Sequence, residues 1–517
     1  MVTAVKEAKK RKEAKKRIIL NCFDMTCVSH QSAGMWRHPQ SQAMRYNEIE
    51  YWTNLAIELE RGCFDCLFIA DVLGVYDVYR GSSAASLKDA AQVPVNDPFP
   101  SIAAMAAVTK NVCFGVTAAV TFEHPYILAR RLATLDHLTK GRLAWNIVSS
   151  YLNSAAVNIG LDQQIGHDER YDMAEEYMEV IYKLMEGSWE DGAVLRDRAS
   201  GIFTNPKKVH PIRHDGKYYK VPGFHLCEPS PQRTPLLFQA GASGRGRAFA
   251  SKHAESMFIL TTTAEQARVV TTDIRDLAEK AGRSRDSIKI FTLLTVITGK
   301  DDAAAQAKYD EYLTYASPEG MLALYGGWTG IDFSKMDPDE PLKALANDSL
   351  RTTLESLTDG GGKDFSVRDV ITERCIGGLG PVLVGGPQKV CDVLERWVDH
   401  GGIDGFNLAY AITPGTVSDF IDYIVPELQR RGRAQTSYAP GNFRQKLIGT
   451  ADGFVEKTHA AAKYRKMFVG KENVDSNTTP SHWADASHPV QTPHGKTKTK
   501  TKTKTKTKTK TKNKNKT

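Results

Sequence analysis

"ILARRLATLDHLTKGRLAWNIVSSYLNSAAVNIG", residues 127–160, contains one full structural unit and the start of a pocket. Leu128, Leu132, Leu135 and Leu138 recur at helical spacing, and Gly141 is placed where a helix stops. The next run, 143–148, is apolar on consecutive positions, the pattern of a strand buried on both faces of a parallel sheet. Then the chemistry changes. Ser149, Ser150, Tyr151 and Asn153 are small or hydrogen-bonding and carry no charge, which suits the lip of a pocket better than a plain loop.

Seven more apolar runs repeat this theme: 18–23, 66–70, 112–120, 235–240, 256–260, 288–297 and 405–410. Most are followed by a helical pattern: 46–61 closing at Gly62, 170–185, 263–281 closing at Gly282, and 418–431 closing at Gly432. Eight strands alternating with helices predict an α/β fold, a (β/α)8 TIM barrel, over 18–449. No G-x-G-x-x-G follows the first strand, as an open dinucleotide-binding sheet would usually show. Two stretches break the rhythm. Residues 186–234 carry the turn signal His214-Asp215-Gly216, and residues 316–380 carry "YGGWTGIDF" and Gly360–Gly362. Insertions of this length in a barrel predict lids or oligomer arms. Residues 1–17 read as a basic tail, and order is expected to decay from about Thr450.

With 517 residues, 41 % of them hydrophobic and 25 % charged, the chain has the composition of a soluble globular protein. No apolar run approaches the length of a membrane span, and the charged N-terminus lacks the apolar core of a secretory signal, so a cytoplasmic location is expected. The net charge of +8 misleads, because 496–517 holds eleven Lys and no acid, and 1–17 contributes a further +6. The body is therefore acidic, about −9, and an acidic body argues against nucleic-acid binding. Low-complexity Lys/Thr cannot bury a core and reads as solvated tail. The eight cysteines are scattered. Cys63 and Cys66 form one CxxC without a second pair, which favours packing over zinc or redox chemistry.

In a barrel the site lies on the loops after the strands. Those loops hold Asp71, Thr117, Asn146, Ser149 and "AGASGRGRAF" at 240–249. The set is polar and mostly uncharged, suited to a ligand held by hydrogen bonds rather than to a metal. The glycine-rich turn opens a helix, so its backbone N–H groups and the positive end of the dipole face outward. This is either a phosphate cradle, with Ser243 as donor and Arg245 or Arg247 as charge partners, or a tight turn required by the backbone alone. "VGGPQKVCDVLERW" at 384–397 has no Ser, Thr or Arg beside its glycines and reads as structural. In "GHDERYDMAEEYMEV" at 166–180, His167 and Tyr171 share one helix face. They either contact a ligand together or belong to a capped amphipathic helix. No Ser nucleophile elbow, Walker loop or spaced carboxylate pair appears, which weakens hydrolase and kinase readings.

Read in order, "HPYILARRLATLDHLTKGRLAWNIVSSYLNSAAVNIG", "GHDERYDMAEEYMEV" and "PLLFQAGASGRGRAFASKHAE" resemble the bacterial-luciferase-like flavin monooxygenases. The subgroup resembled is that of nitrilotriacetate monooxygenase component A, dibenzothiophene-sulfone monooxygenase and pristinamycin synthase. The likeness spans about 18–445. It implies a barrel that takes reduced FMN from a separate NAD(P)H:flavin reductase, and it implies a homo-oligomer. It also implies a monooxygenase that uses O2, through a flavin C4a-hydroperoxide, to oxidise a small organosulfur or amine compound. Motif by motif, it carries flavin contacts onto Asp71, Thr117, His167, Tyr171 and Ser243, the last three at the phosphate, with Asn146 and Ser149 beside the ring. His30, in "CVSHQSAGMW", is the candidate catalytic donor to oxygen or substrate. Where relatives often have a second His, Gln31 and Ser32 stand. Where sulfone-type relatives read "SHTGI", this chain reads "GGWTGI", with Trp328 in place of His. That departure keeps open a flavin-binding barrel without turnover, and a deazaflavin-dependent reductase remains a further reading.

Overall fold

All eight apolar runs form strands, and the eight close on one another. In the computed structural model, which describes residues 15–241, 243–339, 366–369 and 375–470, they are β1 (Ile19–Met25), β2 (Cys66–Ala70), β3 (Cys113–Ala119), β4 (Leu143–Val148), β5 (Leu236–Gln239), β6 (Ser256–Ile259), β7 (Lys289–Ile297) and β8 (Gly405–Ala409). Each pairs in parallel with the next, and β8 returns to β1 with Ile19 opposite Gly405. The result is the expected (β/α)8 barrel. A ninth strand, Val382–Val384, extends only the end of β7, from Thr295 to Ile297. Three residues are too few for a periodicity to show.

β4 illustrates how the pattern becomes a site. Leu143, Trp145 and Ile147 face outward into the layer of helices. Ala144 faces the barrel interior, among Phe68, Phe238 and Phe291, and Asn146 follows on the same face, one step nearer the mouth. The interior is a stack of phenylalanines: Phe23 lies on Phe68 at 5.0 Å, and Phe68 on Phe258 at 4.4 Å. Gly115 makes room for them, since a Cβ there would come 2.8 Å from the Phe238 ring. Above this aromatic layer the inward residues turn polar, with Thr117, Asn146 and Gln239 all buried. Apolar filling ends where a ligand would begin.

The helices follow their caps. They include α1 (Ile49–Arg61), α2 (Pro125–Leu138), α3 (His167–Tyr182), α4 (Gly244–His253), α5 (Ala264–Lys280), α6 (Pro318–Thr329) and α7 (Pro387–Asp399). Thr263 caps α5 by accepting from the Gln266 amide, and Gly282 leaves it with φ of 79°. α3 starts three residues earlier than the apolar spacing predicts, so that His167 occupies its first turn. α7 is preceded by Gly386, whose N–H is taken by Asp302 at 2.6 Å, so the second glycine pair is structural. Insertion 186–234 folds into two antiparallel hairpins, Val194–Asp197 with Ile202–Thr204 and His214–Asp215 with Lys220–Val221, the second turning on the predicted Asp215-Gly216. In the second insertion α6 carries "YGGW", and Gly360–Gly362 lies outside the described residues.

Order does not decay at Thr450. Residues 451–470 pack under the barrel, where His459 is buried against the His253 carbonyl at 2.8 Å and Arg465 meets the buried Glu186 at 3.1 Å. Beside them Arg444, fully buried, forks onto Glu255 at 2.6 and 2.8 Å and donates to the carbonyls of Thr234, Pro235 and Gly453. The few apolar residues of this segment gave no helical or strand period, so its burial was not legible in the sequence. At the other end, the last residues of the basic tail are also held: Lys16 pairs with Asp404 at 2.9 Å and Arg17 with Asp65 at 2.8 Å. The Lys/Thr tail lies outside the described residues.

All eight cysteines are free thiols. Among the described residues no helix is long and apolar enough to cross a membrane, and no three His, Cys, Asp or Glu side chains gather as a metal site.

Candidate active site

The loops after β2 to β5 surround one cavity of about 390 Å³, within the range of small-molecule and cofactor sites. Asp71 follows β2 directly. Burial pushes its carboxyl up to about 7, nearby Asp97 adds to the rise, and the Val72 amide and Arg131 oppose it. Thr117 faces inward from β3, donating to the Ile69 carbonyl at 2.9 Å and accepting from Asn146 Nδ2 at 3.0 Å. Asn146 therefore stands behind the wall rather than in it, with its Oδ1 buried and unpartnered. The polar run after β4 supplies the lip. Ser149, Ser150 and Tyr151 all line the cavity, and Ser150 takes φ of 57°, a left-handed conformation costly for a non-glycine residue.

The other wall is built by two helix N-termini. His167 and Tyr171 lie on one face of α3 with ring centroids 5.2 Å apart. His167 is half-exposed and its Nδ1 meets Asp168 at 2.9 Å, a contact that adjacency on a helix did not suggest. Ser243 caps α4, accepting from Gly246 N at 3.0 Å. The Tyr171 hydroxyl faces Ser243 and Ser149, which draw its pKa down against the burial that raises it. The glycines are sterically required here. A Cβ on Gly246 would sit 2.7 Å from the Tyr171 hydroxyl and 3.0 Å from the Gly241 Cα. Only two glycines let the turn, the helix start and the phenol approach this closely. Ala242 lies outside the described residues.

The cavity thus brings together Asp71 after β2, Thr117 of β3, His167 and Tyr171 of α3 and Ser243 at the start of α4. It does not include His30, which lies toward the mouths of β1 and β8. That imidazole stands edge-on to Phe23 at 4.2 Å, near Tyr410, while its carbonyl accepts from Gln92 Nε2 at 2.6 Å. Burial pushes it down to about 3, so it is neutral at physiological pH. Arg245 and Arg247, the expected charge partners of the cradle, are not in the wall either. Arg245 turns outward to Asp172, and Arg247 to Asp273 at 3.2 Å. An acid lies within reach of each on the flanking helix, and nothing in the local motif reveals it.

Two features escaped the sequence. Arg170, one residue before Tyr171, lines the cavity although nothing in the spacing of its helix marks it for that wall. The second is a polar chain at the lip. Gln92 spends its Nε2 on the His30 carbonyl, so its Oε1 must accept the single Tyr76 hydroxyl proton, at 2.7 Å. Tyr76 in turn accepts from Tyr151 at 2.8 Å and from Trp328 Nε1 at 3.1 Å. Trp328 therefore supports the lip from α6. A chain of partners this distant in sequence leaves no spacing to read.

The family model described as luciferase-like monooxygenase matches residues 25–404. Over 477 residues the chain is 76 % identical to a dimethyl-sulfide monooxygenase of Hyphomicrobium sulfonivorans, covering 92 % of this chain and 99 % of that protein. A crystal structure of DmoA from Hyphomicrobium sulfonivorans superposes with a TM-score of 0.86 at 76 % identity, over 90 % of this chain and all of the other. A crystal structure of a riboflavin lyase with modified FMN and riboflavin superposes at 0.81 and 34 % identity, over 87 % of this chain and all of that one. The relatives expected from the motifs, dibenzothiophene-sulfone monooxygenase, nitrilotriacetate monooxygenase component A and pristinamycin IIA synthase, match as well.

Proposed function

The chain belongs to the luciferase-like monooxygenase family and is a flavin-dependent monooxygenase; on that premise we propose that it is the oxygenase component of a two-component system. In this reading it takes reduced FMN from a separate NAD(P)H:flavin reductase and oxidises a small organosulfur compound of the dimethyl sulfide class. The substrate class rests on the 76 % identical relative. The observation that carries the cofactor reading is the convergence of Asp71, Thr117, His167, Tyr171 and Ser243 on one cavity.

The residues fit a flavin mononucleotide. Gly241 and Gly246 hold open a cradle that a Cβ would fill, and Gln239 Oε1 is buried, unpartnered and in the cavity wall. Ser243, Tyr171 and Ser149 would hold the phosphate with the first turn of α4, His167 standing at its edge. Asp71 and Thr117 would meet the polar edge of the ring, with Asn146 fixing the Thr117 hydroxyl from behind. When bound, reduced FMN supplies two electrons at its C4a position to dioxygen, one oxygen atom passing to substrate and the other leaving as water. The chain's own task is to position and to exclude water. Val72, Leu73, Val120, Ile147 and Leu152 give the cavity its apolar wall. Neutral His30 can donate one hydrogen bond but no full proton charge, so its proposed role is orienting oxygen or substrate from the β1 side. A homo-oligomeric state belongs to the same proposal.

The test is oxygen consumption by the purified chain with a flavin reductase, NADH and FMN. Dimethyl sulfide, sulfones, alkanes and aminopolycarboxylates are compared. Dimethyl sulfide is expected to give substrate-dependent uptake and an oxygenated product. Saturable FMN binding without substrate-dependent turnover anywhere in the panel would replace this reading with that of a flavin-binding barrel.

A further inference from the structure

The cradle needs a counter-charge. A flavin phosphate carries close to two negative charges at neutral pH, and Ser243, Tyr171 and Ser149 are neutral donors. The arginines nearest in sequence, Arg245 and Arg247, are engaged outward by Asp172 and Asp273. His167 is half-exposed and already beside Asp168. Among the described residues lining the cavity, the one permanent cation is Arg170. It is only 9 % exposed, it forms no ion pair among the described residues, and one end of its guanidinium is tied to the Ile165 carbonyl. Its Nε is buried with no hydrogen-bond partner. An arginine buried to this extent without an acid is costly unless a ligand supplies the missing anion. Its backbone precedes Tyr171, whose hydroxyl faces the cap of α4, and its charge helps draw the phenol's pKa down.

We infer that Arg170 is the cationic anchor of the cofactor phosphate, and that through it the cavity selects a phosphorylated flavin over the unphosphorylated one. This rests on the flavin reading above and adds to it a residue and a selectivity. The guanidinium's planar fork suits phosphate oxygens, and the Ile165 carbonyl engages only one of its two outer nitrogens. The link to Ile165 holds the side chain in place before the ligand arrives, so little of its rotamer entropy remains to be lost on binding.

The experiment compares FMN and riboflavin binding, by fluorescence titration of the full chain, for the unaltered protein, R170Q, R170K and R245Q. R170Q is expected to weaken FMN binding about 10- to 100-fold, the loss of one charge-assisted contact, with riboflavin changing less than about twofold. R170K is expected to fall between, and R245Q to leave the FMN-to-riboflavin ratio where it was. Because the ratio is read within each protein, a partly unfolded variant reports the same selectivity. Should R170Q fail to fold, R170K carries the test, and inorganic phosphate must compete with FMN but not with riboflavin on the unaltered chain. An unchanged ratio in R170Q or R170K, or a ratio that shifts in R245Q instead, overturns the assignment of Arg170 and leaves the flavin site standing. If the unaltered chain binds neither flavin, the functional reading fails with it.

Discussion

Replacing Asp71 with Asn is expected to stabilise the protein at neutral pH. The site holds a carboxyl where burial disfavours its ionised form. In the folded chain its pKa is about 7 against an ordinary 3.8. The folded state therefore keeps this proton over a window in which the unfolded chain has lost it, and stability falls as pH rises from about 4 to 7. Below the window both states are protonated and the group contributes nothing. Above it the destabilisation is complete. About three units at roughly 1.4 kcal/mol each set an upper bound near 4 kcal/mol. Water at the open side of the cavity reduces this, leaving about 2 to 4 kcal/mol. Asp71→Asn removes the titration and keeps the acceptor for the Val72 amide. Equilibrium urea unfolding followed by tryptophan fluorescence, at pH 4 through 8, is the assay. The advantage of the variant is expected to grow from near zero at pH 4 to about 2 to 4 kcal/mol at pH 8. Asp24, whose pKa is also raised by burial to about 7, tilts both curves alike and cancels in the difference. A difference between the two proteins that stays flat across this range would refute the reasoning, because it would mean that Asp71 is ionised in the folded chain as readily as in water.

Ser243→Ala is expected to weaken FMN binding by about 1–2 kcal/mol through a lost phosphate donor, and to cost the apo protein about 1 kcal/mol through the lost cap of α4; titration and urea unfolding read the two effects separately. Arg444→Met strands the buried Glu255 carboxylate and is expected to destabilise by about 3–5 kcal/mol. Adding Glu255→Gln to it should recover part of that loss, and full additivity in the double variant would count against a coupled pair. Gly115→Ala drives a methyl to 2.8 Å from the Phe238 ring, with an expected cost of about 1–3 kcal/mol in unfolding free energy; a neutral result would mean that the aromatic stack is loose.

The fold was legible because every barrel strand advertises itself. A strand buried on both faces must be apolar along its length, and a helix covering it must stop at a glycine or a cap. These are local requirements, and β4 with its flanking helix α2 meets them within one short stretch. The cavity was legible to the same extent, since loops after parallel strands share one end of the barrel. Asp71, Thr117 and Ser243 could be gathered from strand order, whereas His167 and Tyr171 joined them through motifs that resemble a known family. The failures are of one kind. Arg245 and Arg247 sit beside the cradle in sequence, but a side chain's direction depends on which acid a neighbouring helix offers. His30 shares the mouth of the barrel, yet it stands beside Phe23 and Tyr410 on the β1 side and does not line the cavity. The segment after Thr450 has little periodicity of its own and is ordered by what it covers.

The sequence by itself determined the barrel, the end at which the loops after its strands gather, and the glycine-lined turn that opens α4, because each follows from backbone geometry and burial within a few consecutive residues. Only the tertiary structure decided which charged groups face that turn. Among the described residues Arg170 lines the cavity without an ion pair, while Arg245 and Arg247 beside the turn are paired outside it, and Trp328 reaches the lip through Tyr76 across some 250 residues of chain. Electrostatic partnership is settled by distance in space, and a linear chain fixes that distance only once it has folded.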